Sequence, residues 1–408
     1  ASGAGDAIPD EQLAFCCALA RQCFINEYVF ACSEEEEEKA RGLRDALSAA
    51  LASGAPVAPL WPVAVAAYEP LHGLPAADAL LERSWPAPLA GLFTQQIAEP
   101  REEVRYRSEI PRLTDIEDEV SRQVQQQYEE NPYPRWVEVG RIVKPTTLHA
   151  WLQELSPGAG LAEGSGGDIL IAGCGTGQHA IETAQMFPAA RLLAVDLSLS
   201  SLAYAQRKTR ALGLGNIDYA QADILRLDTI GRTFDLIEST GVLHHLDDPV
   251  AGLRVLVKLL RPRGLMHLGF YSEAGRQPMV AARRFIAERG YRATAADIRR
   301  CRQELMSAKP ANLPDLAELG DFFTTSACRD LLFHVAERRM TLPEIEAFLA
   351  AEGLALGGFQ VEPHVATHYR QAFPADATMT DFANWHAFER QHPYVFASMY
   401  LFWVRRRS

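Results

Sequence analysis

From Asp168 onward the sequence alternates short apolar runs with amphipathic stretches, and this alternation leaves the chain very few architectures. DILIAG, ARLLAVDLS, IDYAQAD, FDLIEST and GLMHLGFYS read as strands, separated by the helices QHAIETAQMFP, SSLAYAQRKTRALG and DPVAGLRVLVKLLRPRG. Runs apolar on both faces and joined by helical crossovers specify a parallel sheet covered on each side. Sheet-like material returns in MTLPEIEAFLAAEGLALGGFQV and closes with VFASMYLFWVRRR. The expectation is an α/β, doubly wound, mostly parallel seven-stranded sheet of Rossmann-like type.

The rest of the chain reads as helical. Residues 1–115 form a helical N-terminal domain, in which EQLAFCCALARQCFINEYVFA carries apolar groups on most faces, as a buried helix would. Ser33 is placed to cap a second helix whose first turn is acidic, where the macrodipole favours carboxylates. Residues 116–150 are a linker and lid helix, IEDEVSRQVQQQYEE, ended by NPYP because a residue preceding proline is pushed out of helical geometry. The remainder, 151–408, opens with the Gly-rich connector SPGAGLAEGSGG and contains a polar helical insertion at about 274–340. That insertion is expected over the sheet's ligand edge, as a cap on an acceptor.

Charge and cysteine usage narrow the partners. With 52 acidic against 40 basic side chains the net charge is -12, so the chain as a whole repels phosphate backbones and anionic lipids. The seven cysteines include no C-x-x-C pair, which fits reduced thiols in a cytoplasmic protein and no metal site. The most apolar window, Pro56 to Tyr68, contains three prolines and is too short to span a bilayer. No secretion signal is visible, and the absent initiator Met fits a processed chain or one cut from a longer protein. Oligomeric state is not legible.

The first strand runs into Gly173-Cys174-Gly175-Thr176-Gly177-Gln178. Ligands of open parallel sheets sit beyond the carboxyl ends of the strands, where strand order reverses, and this turn is delivered there. A dinucleotide site would place glycine at 178, where the diphosphate rests on the helix start. Gln178 argues against it, and G-x-G-x-G suits a nucleoside ligand without a diphosphate, such as S-adenosylmethionine. Asp196, ending the second strand, is placed to accept from ribose hydroxyls, and Asp223, ending the third, from an adenine amine. Each has a blander reading: a glycine turn alone is weak evidence, and Asp223 could simply cap the turn that follows it.

DILIAGCGTGQ, LLAVDLS, AQADIL and FDLIESTGVLHHLDDP resemble the successive motifs of class I S-adenosylmethionine-dependent methyltransferases over about residues 168–272. QYEENPYPRW, CRDLLFHV and FERQHPYVFASMYLFWV are similar to bacterial methyltransferase modules often joined to tetratricopeptide repeats, although no repeat is visible here. The resemblance implies a Rossmann-like methyltransferase fold with S-adenosylmethionine as cofactor and S-adenosylhomocysteine as product. It implies a cofactor site of Gly173, Cys174, Gly175, Thr176, Gly177, Gln178, Asp196, Leu197, Asp223, Ile224, Glu238 and Ser239. His244, His245 and Tyr133 are candidates for catalysis or closure of the site, against a reading in which they pack. The expected enzyme moves a methyl group to O, N or S on a small metabolite or protein side chain, with nucleic acid disfavoured. The alternative is a non-catalytic scaffold that binds the cofactor and docks a partner through its N-terminal helices.

Overall fold

The computed structural model describes residues 9–156, 161, 166–308 and 316–407. Most of the Gly-rich connector falls outside them. The chain divides into two compact units, 1–108 with 286–333, and 109–285 with 334–408.

The second unit holds one sheet: β1 (Asp168–Ala172), β2 (Arg191–Asp196), β3 (Ile217–Gln221), β4 (Phe234–Ser239), β5 (Leu260–Ser272), β6 (Arg339–Met340), β7 (Leu354–Phe359) and β8 (Tyr400–Arg406). Seven strands follow the order β3-β2-β1-β4-β5-β8-β7, and the two-residue β6 pairs with the end of β5. β1 to β5 run parallel; β8 is antiparallel between β5 and β7. The seven-stranded doubly wound fold read from the sequence is therefore present. Every residue of β1 and β4 is buried; β1 is accordingly a near-continuous apolar run after Asp168, while the polar residues of β4, Asp235, Glu238 and Ser239, are hydrogen-bonded within the protein. Strand order reverses at β1, with β2 on one side and β4 on the other. Behind β5, β7 and β8, Trp385 is fully buried and stacks on Tyr369 at 3.9 Å between ring centres.

The first unit is helical. Its opening helix, Asp10–Ile25, buries one stripe, Leu13, Cys17, Ala20 and Phe24, while Phe15 and Leu19 are 70% and 51% exposed. The expectation of burial on most faces is thus corrected: the three- and four-residue spacing of the stripe selects one face, and the other apolar groups face outward. Ser33 does cap the helix Glu34–Ala52, in a reciprocal capping box with Glu36. Buried Gln96 donates to the carbonyls of Ala20 and Ala66 and accepts from Leu71 N, satisfying backbone groups of three segments at once.

The helical segment expected as one insertion over 274–340 is shared between the units. Residues 286–333 cluster with the N-terminal helices, held by Asn26 donating to the Phe323 carbonyl, Thr325 to the Glu27 carbonyl, and Ser326 N to the Glu27 carboxylate. No helix of the described residues is long and apolar enough to cross a membrane.

Candidate active site

The glycine turn leaves β1 with Gly173, Gly175 and Gly177 all at positive φ, +83°, +52° and +83°. A side chain there would be strained, and it would also collide with the protein. A Cβ on Gly173 would lie 2.4 Å from Val242, on Gly175 2.7 Å from the Tyr133 carbonyl, and on Gly177 2.5 Å from the Ala205 methyl. Part of the requirement for glycine thus comes from the chain's own close packing and not from a ligand's approach. Gly173 N and Cys174 N both donate to the Val195 carbonyl, which folds the turn toward β2. Burial pushes the Cys174 thiol well up, with the nearby Asp196 charge adding to it, so the group is a neutral thiol. Gln178 begins the helix Gln178–Met186 and reaches along it toward Glu182.

Asp196 connects the turn to the next helix. Its Oδ2 accepts from Gly175 N at 2.8 Å and its Oδ1 from Ser198 N at 2.9 Å. Burial raises its pKa against the lowering effect of these two bonds, and Glu129 adds like-charge repulsion. Leu197 accepts from Gln221 through its carbonyl. Asp223 is buried, and its Oδ1 accepts from Leu225 N at 3.0 Å, so it does cap the turn that follows β3. Burial raises this carboxyl as well. Ile224 belongs to the hydrophobic core of the sheet.

The two β4 candidates are engaged by protein groups. Glu238 Oε2 meets His179 Nε2 at 3.0 Å and accepts from the Thr183 hydroxyl at 3.1 Å, tying β4 to the helix that follows the glycine turn. Burial opposes ionisation of Glu238, but the charge and hydrogen bond of His179, with His267 behind them, outweigh it and hold the carboxyl far below its usual range. Ser239 donates to the Ala172 carbonyl of β1 at 3.1 Å.

His244 and His245, just past β4, enter a column of rings. His244 stacks on Tyr271 at 3.8 Å, and His245 stacks on His334 at 3.6 Å and 16°. Tyr271 carries the Arg276 guanidinium over its face at 3.8 Å, and His334 Nε2 lies 3.1 Å from the Tyr128 hydroxyl. Burial depresses all three imidazoles, His245 to about 4 and the other two further, so they are neutral at pH 7. The partners fix the tautomers. His334 Nδ1 accepts from Ala336 N at 3.1 Å, which puts its proton on Nε2 toward Tyr128. His245 Nδ1 lies 2.8 Å from the Ala336 carbonyl and must donate, leaving a lone pair on Nε2. His334 lies some ninety residues beyond the pair it joins, and no local motif announces it.

The lid helix Glu119–Glu130 is tied down near its end, and the segment following it is a strap over the glycine turn. Gln127 accepts from Val335 N, and Glu129 accepts from Leu199 N, Ser200 N and the Ser200 hydroxyl. Thr176 donates to the Pro134 carbonyl, and Trp136 Nε1 donates back to the Thr176 carbonyl at 3.2 Å. Tyr204 then donates to the Trp136 carbonyl. Tyr133 therefore sits beside Gly175 through its backbone, and Trp136 packs on Ile181 and Tyr204. The packing expected of this segment is present.

Comparison with known proteins places the same stretch. Residues 169–264 match a family described as a methyltransferase domain. The chain is 39% identical over 109 residues to an uncharacterized protein of Synechococcus sp., covering 26% of each chain. It is 35% identical over 101 residues to the malonyl-[acyl-carrier protein] O-methyltransferase of Halalkalibacterium halodurans, covering 24% of this chain and 36% of that one. Among solved structures, PKMT2 from Rickettsia typhi in complex with AdoHcy is 16% identical with a TM-score of 0.48, covering 65% of this chain and 55% of that one. The chain spans about a quarter to a third of the length of these curated relatives. The strand order, the turn after β1 and the matched residues together make 169–264 a class I S-adenosylmethionine-dependent methyltransferase domain.

Proposed function

We propose that the turn Gly173–Gln178, Asp196 with Leu197, and Asp223 with Ile224 hold S-adenosylmethionine, and that the protein transfers its methyl group to O, N or S of a small metabolite or a protein side chain. The cofactor, when bound, supplies a methyl group made electrophilic by its sulfonium. The observation that carries this reading is the Asp196 carboxylate bonded to Gly175 N of the turn, at the point where strand order reverses. An acid anchored there by backbone is ready to accept from the hydroxyls of a ribose.

The chain's own contributions are binding, orientation and exclusion of water. The strap covers the turn. Glu238 and Ser239 act one layer back: Glu238 fixes the helix after the turn through His179 and Thr183, and Ser239 fixes the end of β1. His245, neutral with a lone pair on Nε2, would orient an acceptor by taking a hydrogen bond from it. With a pKa of about 4 it would hold an abstracted proton weakly, which favours acceptors that need no strong base. The acidic balance of the chain favours a metabolite or protein acceptor in the cytoplasm over nucleic acid.

Calorimetry with S-adenosylmethionine and S-adenosylhomocysteine tests the cofactor site. Replacing Asp196 by Ala removes charge-assisted hydrogen bonds worth about 1.5 to 3 kcal/mol, so affinity should fall roughly 10- to 100-fold. Undiminished affinity would refute the ribose assignment. Transfer of radiolabelled methyl into size-fractionated extract then separates small acceptors from protein ones.

A further inference from the structure

We infer that Glu129 is a positioning residue for the cofactor site: by taking the free N–H groups at the start of the helix Leu199–Ala211, it leaves the Asp196 carboxylate turned toward the glycine turn. The inference rests on the assignment of Asp196 to the cofactor.

A helix begins with four N–H groups that have no partner inside it. Here the four are distributed among three side chains. Ser198 N donates to Asp196 Oδ1 at 2.9 Å and Ser201 N to the Ser198 hydroxyl at 3.0 Å. The two between them go to Glu129, Leu199 N to Oε1 at 2.6 Å and Ser200 N to Oε2 at 3.2 Å, with the Ser200 hydroxyl on Oε2 at 2.6 Å. Glu129 comes from the lid helix, seventy residues earlier, and both of its carboxylate oxygens accept from this helix end.

Aspartate side chains readily bond backbone N–H groups a few residues ahead, and a helix N-terminus attracts any carboxylate near it. Asp196 lies three and four residues before Leu199 and Ser200, so without Glu129 it is the acid nearest in sequence to two vacant donors. Turning to them would break the Asp196 Oδ2 bond to Gly175 N at 2.8 Å, which joins β2 to the glycine turn. Glu129 removes that competition. Among the described residues, Glu129 and the neutral Cys174 thiol are titratable groups that act on Asp196, and Glu129 supplies negative charge against which Asp196 ionises.

Titration calorimetry with S-adenosylhomocysteine tests this in the full chain. Glu129→Ala should weaken binding about tenfold, Glu129→Gln less because one acceptor oxygen remains, and a urea midpoint for each variant confirms folding. If Glu129 acts through Asp196, the loss vanishes when Glu129→Ala is made in an Asp196→Asn background. Affinity at low pH should fall as Asp196 protonates, and the acid limb should move to lower pH in Glu129→Gln, because a like charge has gone. An affinity within twofold of the unsubstituted protein, or an equal loss with and without Asp196, overturns the inference. Absence of binding by the unsubstituted protein overturns the cofactor assignment itself, and this inference with it.

Discussion

The three neutral histidines show how far a single residue's chemistry depends on its surroundings. The dipeptide His244-His245 was visible in the sequence as a pair of candidate bases, but its protonation is decided by burial and by Ala336 and His334, which are distant in sequence. The glycines were legible as a ligand-facing turn after the first strand; that all three sit at positive φ and that Val242, the Tyr133 carbonyl and Ala205 also demand them was not, because each contact spans a different loop. For His245 the consequence is a pH dependence of stability. Its pKa is depressed from 6.5 to about 4, so the unfolded chain binds the proton more tightly than the folded one. The stability this represents is complete above pH 6.5 and drains away as pH falls toward 4, by about 3 kcal/mol. His245→Asn keeps a donor toward the Ala336 carbonyl but cannot titrate. Urea unfolding of both proteins across pH 7 to 4 should show the variant losing less stability, by about that amount, with the difference opening below pH 6.5.

At the scale of elements, what the sequence showed well was whatever is local. The β1–β5 strands with their crossover helices, the Ser33 capping box and the end of the lid helix before NPYP each depend on residues within a few positions. The opening helix was misjudged because composition on most faces says little about which face finds a partner, and Phe15 and Leu19 found none in the core. The strap is an intermediate case: Tyr133 had a packing reading, but the hydrogen bonds that join the strap to Thr176 belong to the tertiary structure, as do those of Glu129, in the lid helix, to the start of the Leu199–Ala211 helix. Trp136 is the pin of that element, buried at 8% exposure, donating to the Thr176 carbonyl and giving its own carbonyl to Tyr204. Trp136→Ala should cost about 3 to 5 kcal/mol. Hydrogen exchange should show the local effect as faster exchange at residues 173–178 than in the β5–β8 pair, where the substitution touches nothing. Equal acceleration in both regions would mean that the strap is not a separate clasp.

The whole molecule is organised differently from the linear order of its helices. The sheet unit is interrupted by 286–333, and that segment completes the core of the N-terminal helices, so the first unit is built from two pieces separated by 177 residues of the second. A reading along the chain finds an N-terminal domain and an insertion, since nothing in either piece specifies a partner so far away. Cysteine chemistry distinguishes the two arrangements. Cys301 and Cys328 are buried, and burial pushes both thiols up to about 12, with Cys328 also feeling Glu27 of the N-terminal piece. Cys174 is buried within the glycine turn of the sheet unit. In the full chain all three should resist a thiol-labelling reagent under native conditions. A chain starting at residue 109 lacks the helices that 286–333 packs against, so Cys301 and Cys328 should label at rates close to the unfolded chain while Cys174 stays protected. If Cys301 and Cys328 remain protected in the shortened chain, 286–333 has its core within the sheet unit and the two-piece organisation is wrong. Labelling of all three would instead show that the sheet unit needs the N-terminal helices to fold.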